Sequence, residues 1–110
     1  VTNQYTHYPR PQDNGNHEDC SMVQLKSSDG RIFRIEADDA PFSFSALHYS
    51  DIDIATAAHD YQLKPTKYTY LKINCAVLGL GNGSCGPGVL KKYSIDRTKS
   101  HTLKFRMYMR

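Results

Sequence analysis

Five stretches of this chain alternate apolar and polar residues with a period of two, and that period restricts the fold more than any other feature of the sequence. Successive side chains of a strand point to opposite faces, so strict alternation describes a strand with one face buried. From Cys20 to Ser27, Val23 and Leu25 point one way and Gln24 and Lys26 the other. Ser28-Asp29-Gly30 supplies a hairpin turn, and Arg31 to Ala37 returns with Phe33, Ile35 and Ala37 on one face. Asp38-Asp39-Ala40-Pro41 breaks that strand. Phe42 to Tyr49 follows, with Phe42, Phe44 and Ala46 opposite Ser43 and Ser45. Tyr68 to Leu78 sets Leu71, Ile73, Cys75 and Val77 against Tyr70, Lys72, Asn74 and Ala76. In the last stretch Leu103, Phe105, Met107 and Met109 face inward, and Lys104, Arg106, Tyr108 and Arg110 face out.

Only one segment changes period. Ser50 followed by Asp53 reads as a capping pair, and Ile54, Ala55, Ala58 and Tyr61 recur at helical spacing, which predicts a short helix from Asp51 to about Asp60. Val1 to Asp19, with Pro9, Pro11 and Asn14-Gly15, reads as loop, and Val89 to Asp96 as a short strand or irregular piece. Five or six strands and one short helix in 110 residues predict a mainly β domain, an antiparallel β-sandwich or half of one.

Charge and cysteine content exclude several classes. Residues 1–60 carry 4 Lys/Arg and 10 Asp/Glu, whereas residues 61–110 carry 10 Lys/Arg and one Asp, Asp96. Nothing denser than Lys91-Lys92 occurs, so the basic half reads as the solvated face of strands beside acidic neighbours rather than as a nucleic-acid surface. Cys20, Cys75 and Cys85 are odd in number and lack Cys-x-x-Cys spacing, so they read as reduced thiols, two of them buried. The longest uncharged apolar stretch, Cys75 to Gly81, is too short for a membrane-spanning helix. Beginning at Val1, the chain reads as a piece of a longer protein.

The residue types offer little catalysis. Gly81-Asn82-Gly83-Ser84-Cys85-Gly86 follows a strand and has the form of a dinucleotide fingerprint. That chemistry needs a helix N-terminus next, and Pro87-Gly88 and a strand-like Val89-Leu90 stand there instead. The glycines allow either a tight inter-strand loop or a ligand-lining one, whose polar contacts would come from Asn82, Ser84 and Cys85. Asn82-Gly83-Ser84 also fits a glycosylation sequon. His17 and Cys20 form a lone His-x-x-Cys, two ligands short of a zinc site, and His48 and His59 read as structural. The pairs Glu18-Asp19, Asp38-Asp39 and Asp51/Asp53 fall in turns and at a helix start, so no catalytic carboxylate is assigned.

Two stretches carry a family resemblance. Tyr8-Pro9-Arg10-Pro11-Gln12-Asp13-Asn14-Gly15-Asn16 resembles the Pro-Gln-Glu-Asn-Gly-Asn signature of the large β-galactosidases of glycoside hydrolase family 2. Leu71-Lys72-Ile73-Asn74 through Leu78-Gly79-Leu80-Gly81-Asn82-Gly83-Ser84-Cys85-Gly86 is similar to the family's final Ile-Asp…Met-Gly-Ile-Gly-Gly-Asp-Asp-Ser-Trp motif. The two lie in the family's order, and the resemblance covers nearly the whole chain.

The resemblance implies the final part of a C-terminal β-supersandwich, residues 1–110 being a segment of the last domain and the earlier half of that domain being absent. It implies partners in the remainder of the enzyme chain, including its catalytic barrel, and a galactoside at the loop's edge. It places the two catalytic Glu residues, and the magnesium and sodium ions, outside this segment. It also implies the cytoplasm or periplasm of a bacterium rather than a membrane, and leaves a homo-oligomer open. Asn82, Ser84 and Cys85 would line the edge of the sugar site. Cys85 stands where the family has Trp, in a loop one residue shorter, and cannot offer the sugar a flat aromatic face. The alternative is a free-standing carbohydrate-binding module, with Tyr5, Tyr8, Tyr49 and Tyr70 as its aromatic platform.

Overall fold

The computed structural model describes residues 1–78 and 88–110. Among the described residues there are six strands: β1 (His17–Cys20), β2 (Met22–Lys26), β3 (Ile32–Ala37), β4 (Phe42–Leu47), β5 (Tyr70–Asn74) and β6 (Phe105–Met109). Helix α1 (Asp51–Thr56) and 3₁₀ turns at Asp60–Gln62 and Lys91–Tyr93 also lie among the described residues. Strands β1-β4-β5 form one antiparallel sheet and β2-β3-β6 a second. The predicted mainly β, sandwich-like architecture is therefore the one observed. Among the described residues no helix is long and apolar enough to cross a membrane.

The hairpin is built as its residues require. Val23 pairs with Ile35 and Leu25 with Phe33, so the apolar residues of both strands share a face. Gly30 takes φ 89° and donates its N–H to the Ser27 carbonyl at 3.0 Å, a left-handed position that suits glycine. The Ser27 hydroxyl and then the Arg31 backbone N–H hold the Asp29 carboxyl below its ordinary range.

The chain changes sheets at Ser21. Instead of one strand from Cys20 to Ser27, β1 ends at Cys20, Ser21 bends and β2 starts at Met22. The register slips between His17 and Cys20, and Asp19 adopts φ 54°. A bulge of this kind turns the strand and sends its continuation to the other layer. The loop expected from Val1 to Asp19 accordingly ends at Asn16, and His17 belongs to a strand, its ring 4.9 Å from that of Phe44.

Strand β4 is the centre of the molecule and is buried on both sides. Phe42 and Phe44 face the second sheet, in a cluster with Val23, Ile35, Leu25, Phe33, Leu71 and Ile73. Leu47, on the other face, joins Tyr5, Tyr49, Ile54 and Leu63 in a second cluster. Ser43 and Ser45, expected opposite the apolar face, are buried as well, at 7% and 3% exposure on the same side of β4 as Leu47. A fully buried apolar side chain such as Phe42 or Leu47 contributes about 1.5–3 kcal/mol.

Helix α1 is shorter than its sequence pattern. Ser50 accepts the Asp53 N–H at 3.1 Å, the Asp53 carboxylate accepts the Ser50 N–H at 3.3 Å, and the acidic Asp51 and Asp53 occupy the first turn. The helix ends at Thr56 because Ala57 is already extended. Only Ile54 of the expected stripe is buried by it; Ala55 and Ala58 are exposed, and Tyr61 lies in solvent, stacked on His59 with ring centroids 5.4 Å apart. His59 thus precedes a 3₁₀ turn rather than sitting in the helix. A one-and-a-half-turn helix buries one side chain, so the local spacing beyond Thr56 had no surface to pack on.

Strand β5 also contracts, from the expected Tyr68–Leu78 to Tyr70–Asn74. It pairs along β4 only from Leu47↔Tyr70 to Ser43↔Asn74, and past that register no neighbouring strand among the described residues satisfies its backbone. Cys75 and Val77 are exposed, not inward, and Cys20 is half-buried, so neither described thiol is buried. Lys91–Tyr93 forms a 3₁₀ turn, the irregular alternative for that stretch.

Candidate functional site

The loop singled out by the sequence leaves the end of β5. Asn82, Ser84 and Cys85 lie outside the described residues, which stop at Leu78 and resume at Gly88. What is described is the stem. A cavity of about 220 Å³ beside it is lined by Glu18, Asp19, Phe42, Ser43, Cys75 and Val77. A second, of about 320 Å³, is lined by Asp39, Pro41, Cys75, Thr102, Leu103 and Lys104. Cys75 lines both, so the stem runs between two polar recesses at one end of the sandwich. Among the described residues no three His, Cys, Asp or Glu side chains gather where they could hold a metal.

The first signature stretch is a structural clasp. The Asn14 amide oxygen accepts the Thr6 N–H at 2.8 Å. The same amide's nitrogen donates to the carbonyls of Thr6 at 3.1 Å and Gln12 at 3.0 Å. An amide is suited to this because it donates and accepts at once. Gly15 follows at φ 76°, where an added Cβ would sit 2.7 Å from the Gln4 carbonyl oxygen and 3.2 Å from Leu47 Cδ2. The Asn-Gly pair closes the N-terminal segment onto β4, and Tyr5 becomes core beneath it. Burial raises the Tyr5 phenol above its ordinary value, although its hydroxyl donates to the Gln12 carbonyl.

Lys72 fastens the same region from β5. Its Nζ donates to Asp13 Oδ1 at 2.8 Å and lies 2.9 Å from Asp51 Oδ1, tying the signature segment and the first turn of α1 to one strand. Burial alone would lower the ammonium's pKa, but hydrogen bonds and charge from Asp13 and Asp51 outweigh it and hold Lys72 above the ordinary lysine value of 10.5. Alternation placed Lys72 on a face with Tyr70 and Asn74; its two partners, both remote along the chain, were not legible. Arg106 with Asp38 at 3.2 Å repeats the theme of basic second half against acidic first half.

A raised folded-state pKa stabilises below the unfolded value, and the contribution disappears as pH rises through the folded one. Lys72→Met is expected to lower stability at pH 7 by about 1 kcal/mol, since both carboxylates are largely exposed and screened. The difference between wild type and variant should close as the lysine deprotonates. Urea midpoints at neutral pH and above the lysine value test this; an unchanged gap at high pH would show that the charge is not responsible.

The tyrosines do not form a sugar platform. Tyr5 and Tyr49 are buried, with ring centroids 4.7 Å apart inside the core, while Tyr8 and Tyr70 are exposed. The outer face of the second sheet holds instead a shallow polar recess of about 330 Å³, lined by Gln24, Ile32, Arg34, Glu36, Tyr108 and Arg110. There Arg34 and Glu36 neutralise each other in an ion pair.

Comparison with known proteins bears on this arrangement. The beta galactosidase small chain family profile matches residues 1–109. A beta-galactosidase of Staphylococcus xylosus is 36% identical over 99 residues, 87% of this chain and 10% of that protein. One from Arthrobacter sp. (strain B7) is 33% identical over 104 residues, 91% of this chain and 10% of its own length. One from Kluyveromyces lactis is 33% identical over 88 residues, 80% of this chain and 8% of its own length. The chain thus spans about a tenth of the length of the curated relatives it matches. With the signature clasp, the two-sheet fold and a match that runs from end to end, this chain belongs to the beta galactosidase small chain family.

Proposed function

We propose that this chain is the C-terminal, non-catalytic segment of a retaining β-galactosidase. In that reading the whole enzyme hydrolyses terminal β-galactosides through a glycosyl-enzyme intermediate, using two carboxyl groups about 5 Å apart in a catalytic barrel elsewhere in the chain. This segment supplies neither carboxyl and no metal ligand. Its work is to hold the loop after β5 against the barrel, with Asn82, Ser84 and Cys85 at the edge of the galactoside site. The observation that carries the reading is the family match over residues 1–109, combined with relatives named beta-galactosidase that are some ten times longer. The placement of Cys75 between two recesses supports a loop stem anchored to the sandwich body.

The test compares the 110-residue chain with the full reading frame that encodes it, both assayed with a chromogenic galactoside. The full frame should turn substrate over and the segment alone should not. In the full enzyme Cys85→Ala is expected to shift KM by a few-fold with kcat nearly unchanged, as loss of uniform binding does. Turnover by the isolated segment, or a reading frame without a hydrolase barrel, overturns the assignment.

A further inference from the structure

The polar recess on the outer face of the second sheet is built by the register of its three strands. Gln24 of β2, Arg34 of β3 and Tyr108 of β6 stand opposite one another across both ladders. Beside that row Ile32 and Arg110 exchange both backbone hydrogen bonds at 3.0 Å, which fixes Arg110 at the rim. Alternation sets Arg34 and Glu36 against Phe33 and Ile35, so the row looks away from the core. The cavity of about 330 Å³ stands at the small end of the about 300–1,000 Å³ that ligand pockets span, room for one or two ring-sized groups. Its lining is aromatic and cationic at once. Glu36 accepts from Arg34 Nη2, but a guanidinium has five N–H donors, and the buried Arg34 Nε has no acceptor among the described residues. No ion pair among the described residues reaches Arg110. With Glu36 engaged by Arg34, the charge of Arg110 is the one left over. Tyr108, which is not among the four tyrosines expected to bind sugar, is 45% exposed.

We propose that this recess binds an acidic saccharide, a sugar whose carboxylate or sulfate docks on Arg34 and Arg110 while its ring lies against Tyr108. Charge complementarity chooses the acidic group: forked guanidinium donors match a planar or tetrahedral oxyanion, and a neutral sugar would leave that charge unanswered. Tyr108 chooses the ring, since a small anion alone would leave the exposed phenol face without a partner. Gln24 adds an amide that both donates to and accepts from hydroxyls. The choice of a sugar over another ring-bearing anion rests on the proposed galactosidase reading.

Isothermal titration calorimetry on the full-length enzyme tests this, with a saturating neutral thiogalactoside present so that galactoside binding elsewhere is already complete. The probes are digalacturonate, galactose 6-sulfate, neutral galactobiose and malonate. At least one of the two acidic sugars should bind about tenfold more tightly than galactobiose and malonate, and the tighter of the two names the acidic group. Tyr108→Ala and Arg34→Gln should each weaken that binding about tenfold, and Arg34→Lys, which keeps the charge and loses the fork, about threefold. Arg97→Gln makes the same charge change at an exposed position outside the recess and should stay within about twofold of wild type. Arg34→Gln leaves Glu36 without its partner, so Tyr108→Ala, at an exposed side chain, decides the matter if the arginine variant fails to fold. Malonate binding as tightly as the acidic sugars would make this an anion site only and overturn the proposal. Galactobiose binding equally well would overturn the role of charge. Absence of binding by either acid, in an enzyme that hydrolyses galactosides, overturns the site while leaving the proposed function intact. A reading frame without galactosidase activity overturns the function reading, and with it the choice of a sugar.

Discussion

Phe42→Ala is expected to cost about 3–5 kcal/mol, the usual range for emptying a buried phenylalanine site. Phe42 is the first residue of β4, is 1% exposed, and stands between the two sheets with Val23 and Ile35. Its ring centroid lies 6.5 Å from that of Phe44, which continues the same face. Removing the ring takes away its transfer energy and leaves a cavity that two sheets joined by short turns cannot close. A small domain has only about 5–15 kcal/mol in total, so the variant should be close to unfolded. Urea denaturation of the 110-residue chain measures it, with Tyr61→Ala as control. Tyr61 is exposed and touches mainly His59, so its loss should fall within about 0.5 kcal/mol. Comparable midpoints for the two variants would mean that the sheets are not held together at β4.

Gly15→Ala is expected to cost about 2–3 kcal/mol, more than a left-handed backbone alone explains. The new Cβ would lie 2.7 Å from the Gln4 carbonyl oxygen, a backbone atom that cannot rotate away. Relief requires the N-terminal segment to lift from β4, which would pull at the Asn14 hydrogen bonds and uncover Tyr5 and Leu47. Gly30→Ala separates the two contributions. Gly30 has φ 89° and nothing within 4 Å of the place a Cβ would take, so only the conformational cost of about 1–2 kcal/mol applies. Differential scanning calorimetry on both variants should place Gly15→Ala lower in Tm. Equal shifts would show that the clasp yields without loss, and that the Asn-Gly signature is not structural.

These two positions show what kind of information each part of the sequence held. Phe42 could be assigned to the core from its spacing with Phe44 and Ala46, because alternation is a property of the strand itself. The Ser50–Asp53 cap and the Asp29-Gly30 turn were legible for the same reason: all their partners are near neighbours in the chain. The burial of Leu47 on the second face of β4 was not legible, because it depends on the segment around Tyr5 folding back over β4. Tyr5 and Tyr49 likewise carry nothing locally that separates a core tyrosine from an exposed one. Of the candidate site, the stem at Cys75 is described, and its residues Asn82, Ser84 and Cys85 lie outside the described part.

By itself the sequence determined the strands, the hairpin and the helix start, since each follows from hydrogen bonds and side-chain directions between near neighbours. Tertiary structure alone decided that Ser21 divides one strand between two sheets, that Lys72 joins Asp13 to Asp51, and that Phe105, Met107 and Met109, inward by alternation, are exposed among the described residues. Those outcomes depend on which distant surface happens to lie opposite, and a period of two gives a side chain's direction without saying what it will meet.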